Sequence, residues 1–270
     1  MSVFINNVQQ VSDEEFLSNL QQIHPVQEDE VVLVKKLGEL VEKTVVDQLQ
    51  GKKKVCLLMS GGVDSAVLAL LLDKHVDDLL CITAGTQGSR DIKLARIFAQ
   101  KHDLNHHVID IDEEMIGDNL AAIMGSTETA AAMQVGAAVN EYFCFKEGVN
   151  RGYTDFFMGT GMDEMFGAVG FYRLDEINPD ERYERMWRMY ETIVRARENF
   201  AKPDFNMTRV EALSETFSIT VHLPFERVEL PYFVKSLPMD LVYDEETKQG
   251  KYLLRVYANK VLGVDHDHCF

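Results

Sequence analysis

Between Val55 and Ile111 the chain alternates short apolar runs with segments of helical period, and this alternation restricts the fold more than any other feature of the sequence. Val55-Cys56-Leu57-Leu58-Met59 is an apolar run of strand length, closed off by glycines. Residues 66–74 carry a helical pattern, 79–84 a second apolar run, 91–102 another helix and 107–111 a third strand. Apolar runs this short, without polar alternation, suit strands covered on both faces. Strand, helix and strand in succession make a crossover unit, so the pattern predicts an α/β fold with a doubly wound, mostly parallel sheet. A fourth strand is expected at 155–158, after a long Ala-rich helix over about 129–148.

Upstream, Val34, Leu37, Leu40, Val41, Val45 and Leu49 recur at intervals of three and four, which predicts a helix over 31–50. Ser12 followed three residues later by Glu15 resembles a capping box and predicts a short helix over 13–22. Beyond residue 171 the composition shifts to charged helices, such as 181–199, and to a Pro-punctuated stretch over 223–238. The expected division is an N-terminal extension (1–30), an α/β core (31–170) and a mainly helical subdomain (171–270) packed on the core.

The 27 Lys and Arg against 44 Asp and Glu give a net charge of -17, which repels a phosphate backbone, so extended nucleic-acid binding is not expected. Cys56, Cys81, Cys144 and Cys269 show no CxxC or metal-ligand spacing and read as reduced thiols. With no apolar run of ~18 residues and no signal-like start, the expectation is a cytoplasmic protein with no membrane partner.

The chemistry begins at Ser60-Gly61-Gly62-Val63-Asp64-Ser65, between a strand end and a helix start. Free N–H groups and the positive helix end favour an anion there. Gly61 and Gly62 let phosphate oxygens reach the backbone, and Ser60 and Ser65 add hydroxyls. A Walker lysine and a GxGxxG are both absent. The same residues would also serve as a Gly-Gly turn whose Asp64 helps cap the helix.

SGGVDS after VCLLM resembles the PP-loop of the ATP pyrophosphatases, enzymes that cleave ATP between the α and β phosphates; the six residues do not choose among NAD, GMP and asparagine synthetases and tRNA thiolases. Later segments do choose. Gly85-Thr86-Gln87-Gly88-Ser89-Arg90-Asp91-Ile92-Lys93-Leu94-Ala95, then His106-His107-Val108, resemble the corresponding stretches of asparagine synthetases. Met158-Gly159-Thr160-Gly161-Met162-Asp163-Glu164-Met165-Phe166-Gly167 is similar to that family's Ser-Gly-Glu-Gly-x-Asp-Glu-x-Phe-Gly-Gly. Leu223-Pro224-Phe225-Glu226-Arg227 and Lys251-Tyr252-Leu253-Leu254-Arg255 resemble its Arg-x-Pro-Phe-Leu-Asp and Lys-His-x-Leu-Arg. The resemblance runs over about 31–262 and is to the synthetase domain. The glutaminase domain that usually precedes it would bring a nucleophilic Cys at position 2, where this chain has Ser2.

The resemblance implies ATP and Mg²⁺ as cofactors. Met59, Ser60, Gly61, Gly62, Asp64, Ser65, Ala84, Met158 and Gly159 would hold the nucleotide, with the Ala84 backbone offered to adenine. Asp64 and Asp163 would share Mg²⁺, and Lys251 would neutralise the leaving pyrophosphate. The implied partners are a small-molecule carboxylate and an amine or ammonia; a separate glutaminase as the ammonia source and homo-oligomerisation both stay open. The pattern departs at Thr160, where the family carries a proton-handling Glu, at His222 for Arg and at Arg227 for Asp. The expectation is therefore an AMP-forming carbon-nitrogen ligase, asparagine synthetase-like but with Thr160 in a catalytic position that separates it from standard asparagine synthetases. Sulfur transfer or tRNA modification by a PP-loop enzyme, and a non-catalytic nucleotide-binding subunit, are the alternatives. His106, His107 and the tail His266-Asp267-His268-Cys269 are assigned no chemistry.

Overall fold

The computed structural model describes residues 13–127, 132–168, 173–198, 205–227 and 229–269. Among these, contacts cluster into two compact units: one takes Val45–Gly159 and Phe205–His222, and the second takes the remainder. Each is described separately below.

The first unit is built on a parallel sheet, β1 (Lys54–Leu58), β2 (Asp78–Gly85), β3 (His106–Asp110), β4 (Asp155–Phe157) and β5 (Thr220–His222), in the order β3-β2-β1-β4-β5. Its helices are α3 (Val63–His75), α4 (Arg90–Lys101), α5 (Glu113–Thr127), α6 (Ala132–Asn150) and α9 (Phe205–Phe217). The apolar runs became strands because each is covered: Val55, Cys56, Leu57, Cys81, Ile82, Phe156 and Phe157 are all inaccessible to solvent. Helix α3 is apolar on nearly every side and correspondingly buries Val63, residues 65–69, Leu71 and Leu72, with Asp64 and Leu70 partly exposed. The crossover pattern is therefore the doubly wound α/β arrangement the sequence implies.

Three elements were not expected. α5 carries no strong period, and α9 lies in the charged half of the chain. β5 has three residues, too few to show alternation, yet it extends the sheet through the register Asp155↔Thr220, Phe156↔Val221 and Phe157↔His222. Because β5 and α9 belong to the first unit, the compact units do not divide at residues 30 and 170; the sheet recruits chain from beyond 204. A bidentate pair of Arg209 on α9 with Glu141 on α6, at 2.7 Å to each carboxylate oxygen, fastens α9 in the same unit. Burial pushes the Glu141 carboxyl up while the guanidinium opposes it. The expected helices over 129–148 and 181–199 begin and end, respectively, outside the described residues.

Packing of α6 on the sheet is close enough to need glycine. A Cβ on Gly148 would lie 2.4 Å from the fully buried Phe156 ring and 3.4 Å from the Cys56 sulfur. Gly148→Ala is expected to cost about 1–3 kcal/mol through overpacking, lowering the thermal midpoint by roughly 2–10 °C in a circular dichroism melt.

The second unit holds α1 (Asp13–Gln21), most of α2 (Glu30–Leu49), α7 (Met162–Met165), α8 (Pro179–Glu198), α10 (Glu229–Lys235), α11 (Met239–Val242), α12 (Tyr252–Lys260), α13 (His266–Cys269) and a hairpin of β6 (Tyr243–Asp244) with β7 (Gln249–Gly250). Its described elements are mainly helical. The C-terminal tail forms α13, with Cys269 buried.

Candidate functional site

In the first unit, connections run from β1 through β2 to β3 on one side and from β4 to β5 on the other. The direction of winding reverses between β1 and β4, and ligands in open parallel sheets bind beyond the carboxyl ends of the strands flanking such a switch point. Both glycine-bearing loops start there: Met59 to Gly62 follows β1 and Met158-Gly159 follows β4. At Gly159 a Cβ would stand 3.2 Å from the Cβ of Asp64, so the two loops touch at a glycine.

The first loop is held by its own hydroxyls. Ser60 Oγ accepts from the Gly62 N–H at 3.3 Å and lies 3.3 Å from Ser65 Oγ, while Ser65 Oγ donates to the Gly62 carbonyl at 2.9 Å. Gly61 has φ +80°, and a Cβ there would meet the Asp91 carbonyl at 2.7 Å, so the loop turns against the first turn of α4. α3 starts at Val63, three residues earlier than the sequence suggests, which places Asp64 in its first turn. No side chain caps the Gly62 end, so the first-turn N–H groups are not claimed by a capping oxygen. Ser60 is exposed and Ser65 buried.

Behind the loop, Thr83 Oγ donates to the Met59 carbonyl at 2.6 Å and lies 2.8 Å from His106 Nε2. A hydroxyl has one proton, so His106 must be the donor in the second bond. Burial, with Arg96 and His107 adding, pulls the His106 imidazole down to about 4, so the neutral Nε2–H tautomer fits. His106 thus braces the loop, a role invisible in the sequence. Ala84 lies near the carboxyl end of β2, two residues past the last β1 pairing at Ile82.

The rest of the second loop belongs to the second unit. Thr160 is half-buried, and Gly161 has φ +115°. α7 presents Asp163, whose side chain is 53% exposed and accepts an ion pair from Lys251 Nζ at 2.7 Å. Lys251 is itself only 7% exposed at the side chain and starts α12 in the left-handed region, φ +65° and ψ +28°. A non-glycine residue held there carries strain of roughly 1–3 kcal/mol, a feature concentrated at functional sites. Gly250 before it leaves no room for a side chain: a Cβ would meet the Phe166 carbonyl at 2.7 Å and the Ala168 backbone at 2.9 Å. The hairpin thus lays Lys251 along the exit of the second loop, joining residues 88 positions apart.

The departures at 222 and 227 have local explanations. His222 stacks on Phe157 with centroids 4.6 Å apart, and its Nε2 is 3.0 Å from Asp155 Oδ1, which also takes Lys52 Nζ at 2.9 Å. Arg227 reaches Glu229 at 3.4 Å. All four cysteines are buried without disulfides; burial raises the Cys56 and Cys144 thiols and lifts Cys81 to about 12. Among the described residues no group of three or more His, Cys, Asp or Glu converges to hold a metal, and no helix is long and apolar enough to cross a membrane.

A parallel sheet ordered 3-2-1-4-5, with glycine loops meeting at its switch point, is the layout of the nucleotide-binding α/β class. The chain belongs to the asparagine synthase family, whose model matches residues 36–206. It is similar to the glutamine-hydrolyzing asparagine synthetase of Gallus gallus, 25% identical over 226 residues that cover 80% of this chain and 38% of the relative. The glutamine-hydrolyzing GMP synthase of Natranaerobius thermophilus is 34% identical over 87 residues, 30% of this chain and 17% of its own length. The chain thus spans well under half the length of these curated relatives. Among solved structures, an NH3-dependent NAD synthetase from Campylobacter jejuni covers 71% of this chain with 94% of its own, at 14% identity and a TM-score of 0.36.

Proposed function

We propose that the chain is an ATP-dependent carbon-nitrogen ligase that adenylates a carboxylate, releases pyrophosphate and passes the acyl group to ammonia or an amine. The observation that carries this reading is Lys251: a buried, conformationally strained cation tied to the acid of the second loop. A fixed positive charge is what a departing pyrophosphate requires. The uncapped start of α3 beside Gly61 and Gly62 supplies N–H donors for phosphate oxygens. By the resemblance, Asp64 and Asp163 would be the residues that hold Mg²⁺, each with a hard carboxylate oxygen of the kind that ion takes. When bound, that ion would neutralise pyrophosphate charge.

The substrates are a small-molecule carboxylate and a nitrogen nucleophile, ammonia or an amine. Thr160 has no carboxylate to offer, so β-aspartyl transfer to ammonia by the usual residue is not the chemistry of this chain. Sulfur transfer is disfavoured because all four thiols are buried and three are held well above the range at which thiolates form. A purely nucleotide-binding subunit would have no use for the strained Lys251. Incubation with ATP, Mg²⁺ and a panel of carboxylic acids should yield AMP and pyrophosphate in an acid-dependent manner; ADP and phosphate as the main products would refute the reading.

A further inference from the structure

An acid from a different segment lies against the loop that carries Thr160. At Gly161 an ideal Cβ would lie 3.1 Å from Cδ and Oε1 of Glu226 and 3.1 Å from the Phe225 carbonyl. The loop adopts φ +115° there, a conformation open to glycine, and its backbone passes directly over the Glu226 carboxyl. Glu226 ends a 3-10 turn, Pro224–Glu226, which Pro224 starts and the fully buried Phe225 anchors. The carboxyl is therefore delivered by a rigid support and is half-buried. Glu226 falls in the Leu-Pro-Phe-Glu-Arg stretch where the family pattern has Leu, while Thr160 falls where that pattern has Glu. One carboxylate is gone from position 160, and another reaches the adjoining residue from a different segment.

We propose that Glu226 is the carboxylate that takes the proton from the attacking nitrogen, an inference that rests on the ligase reading above. As the N–C bond forms, the carbon-oxygen bond to the adenylate breaks, its electron pair leaves with AMP, and the nitrogen's proton passes to a Glu226 oxygen. Thr160 cannot accept that proton at neutral pH.

The experiment separates the two half-reactions. ATP–pyrophosphate exchange reports adenylation, and amide formation from ammonium chloride reports transfer, both with whichever of the twenty amino acids and short dicarboxylates supports the fastest exchange. Glu226→Gln, which keeps the shape, should leave exchange within about threefold and cut transfer by ~10²-fold or more. Glu226→Asp, with the carboxylate withdrawn by one methylene, should fall between. Adding Thr160→Glu to Glu226→Gln should restore transfer at least about tenfold. If no acid supports exchange, the ligase reading falls and this inference with it. If exchange runs but Glu226→Gln transfers normally, loses exchange equally, or is not rescued by Thr160→Glu, the assignment of Glu226 is wrong while the ligase reading stands. Exchange without any transfer to ammonium in the unsubstituted protein also overturns it.

Discussion

Lys251→Ala is expected to lower kcat by about 10²–10³-fold with little change in ATP affinity, the signature of a contact that matters chiefly when pyrophosphate charge develops. The expectation follows from placement. Gly250 presses the hairpin against the backbone of residues 166–168, and the left-handed start of α12 aims one long cation at the second loop. Because the Asp163 side chain is half-exposed, water replaces the lost partner and the thermal midpoint should move little. Activity and stability therefore separate. Lys251→Arg should not restore full turnover, since a planar fork does not reproduce a compact ammonium in a buried slot. A variant that lost only affinity for the carboxylic acid would move Lys251 into the acceptor pocket. Single-turnover measurement of pyrophosphate release makes the distinction.

Asp64→Asn and Asp163→Asn should each abolish most activity, by about 10²-fold or more, and raise the Mg²⁺ concentration needed for what remains. An amide keeps the shape and removes the charge that a hard cation requires. The two variants should differ in stability. Asp163→Asn takes a charged acceptor from the buried Lys251 and should cost about 1 kcal/mol, discounted because Asp163 itself faces solvent. Asp64 lies in the first turn of α3, where an acid favours the positive helix end, so its replacement should cost a few tenths of a kcal/mol. A Mg²⁺ titration of pyrophosphate release with an unchanged midpoint in both variants would remove the metal assignment.

The α/β alternation was legible in the sequence, because strands buried on both faces must be apolar without interruption and a crossover helix must show its period. Both loops were legible as well, since Gly61, Gly159 and Gly161 record close approaches or left-handed backbone that other residues rarely tolerate. The remaining features depend on contacts between distant segments. β5 is too short to carry a pattern, and its place in the sheet comes from pairing with β4 rather than from its own composition. His106 reads as a strand-edge histidine until Thr83 and the Met59 carbonyl are brought to it. Glu226 was legible only as a charge in a Pro-Phe turn, because nothing local records that Gly161, 65 residues away, would fold over its carboxyl. Periodicity and glycine spacing are local consequences of backbone sterics and burial, whereas a proton acceptor or a leaving-group cation is defined by distances between segments that the chain closes only when it folds.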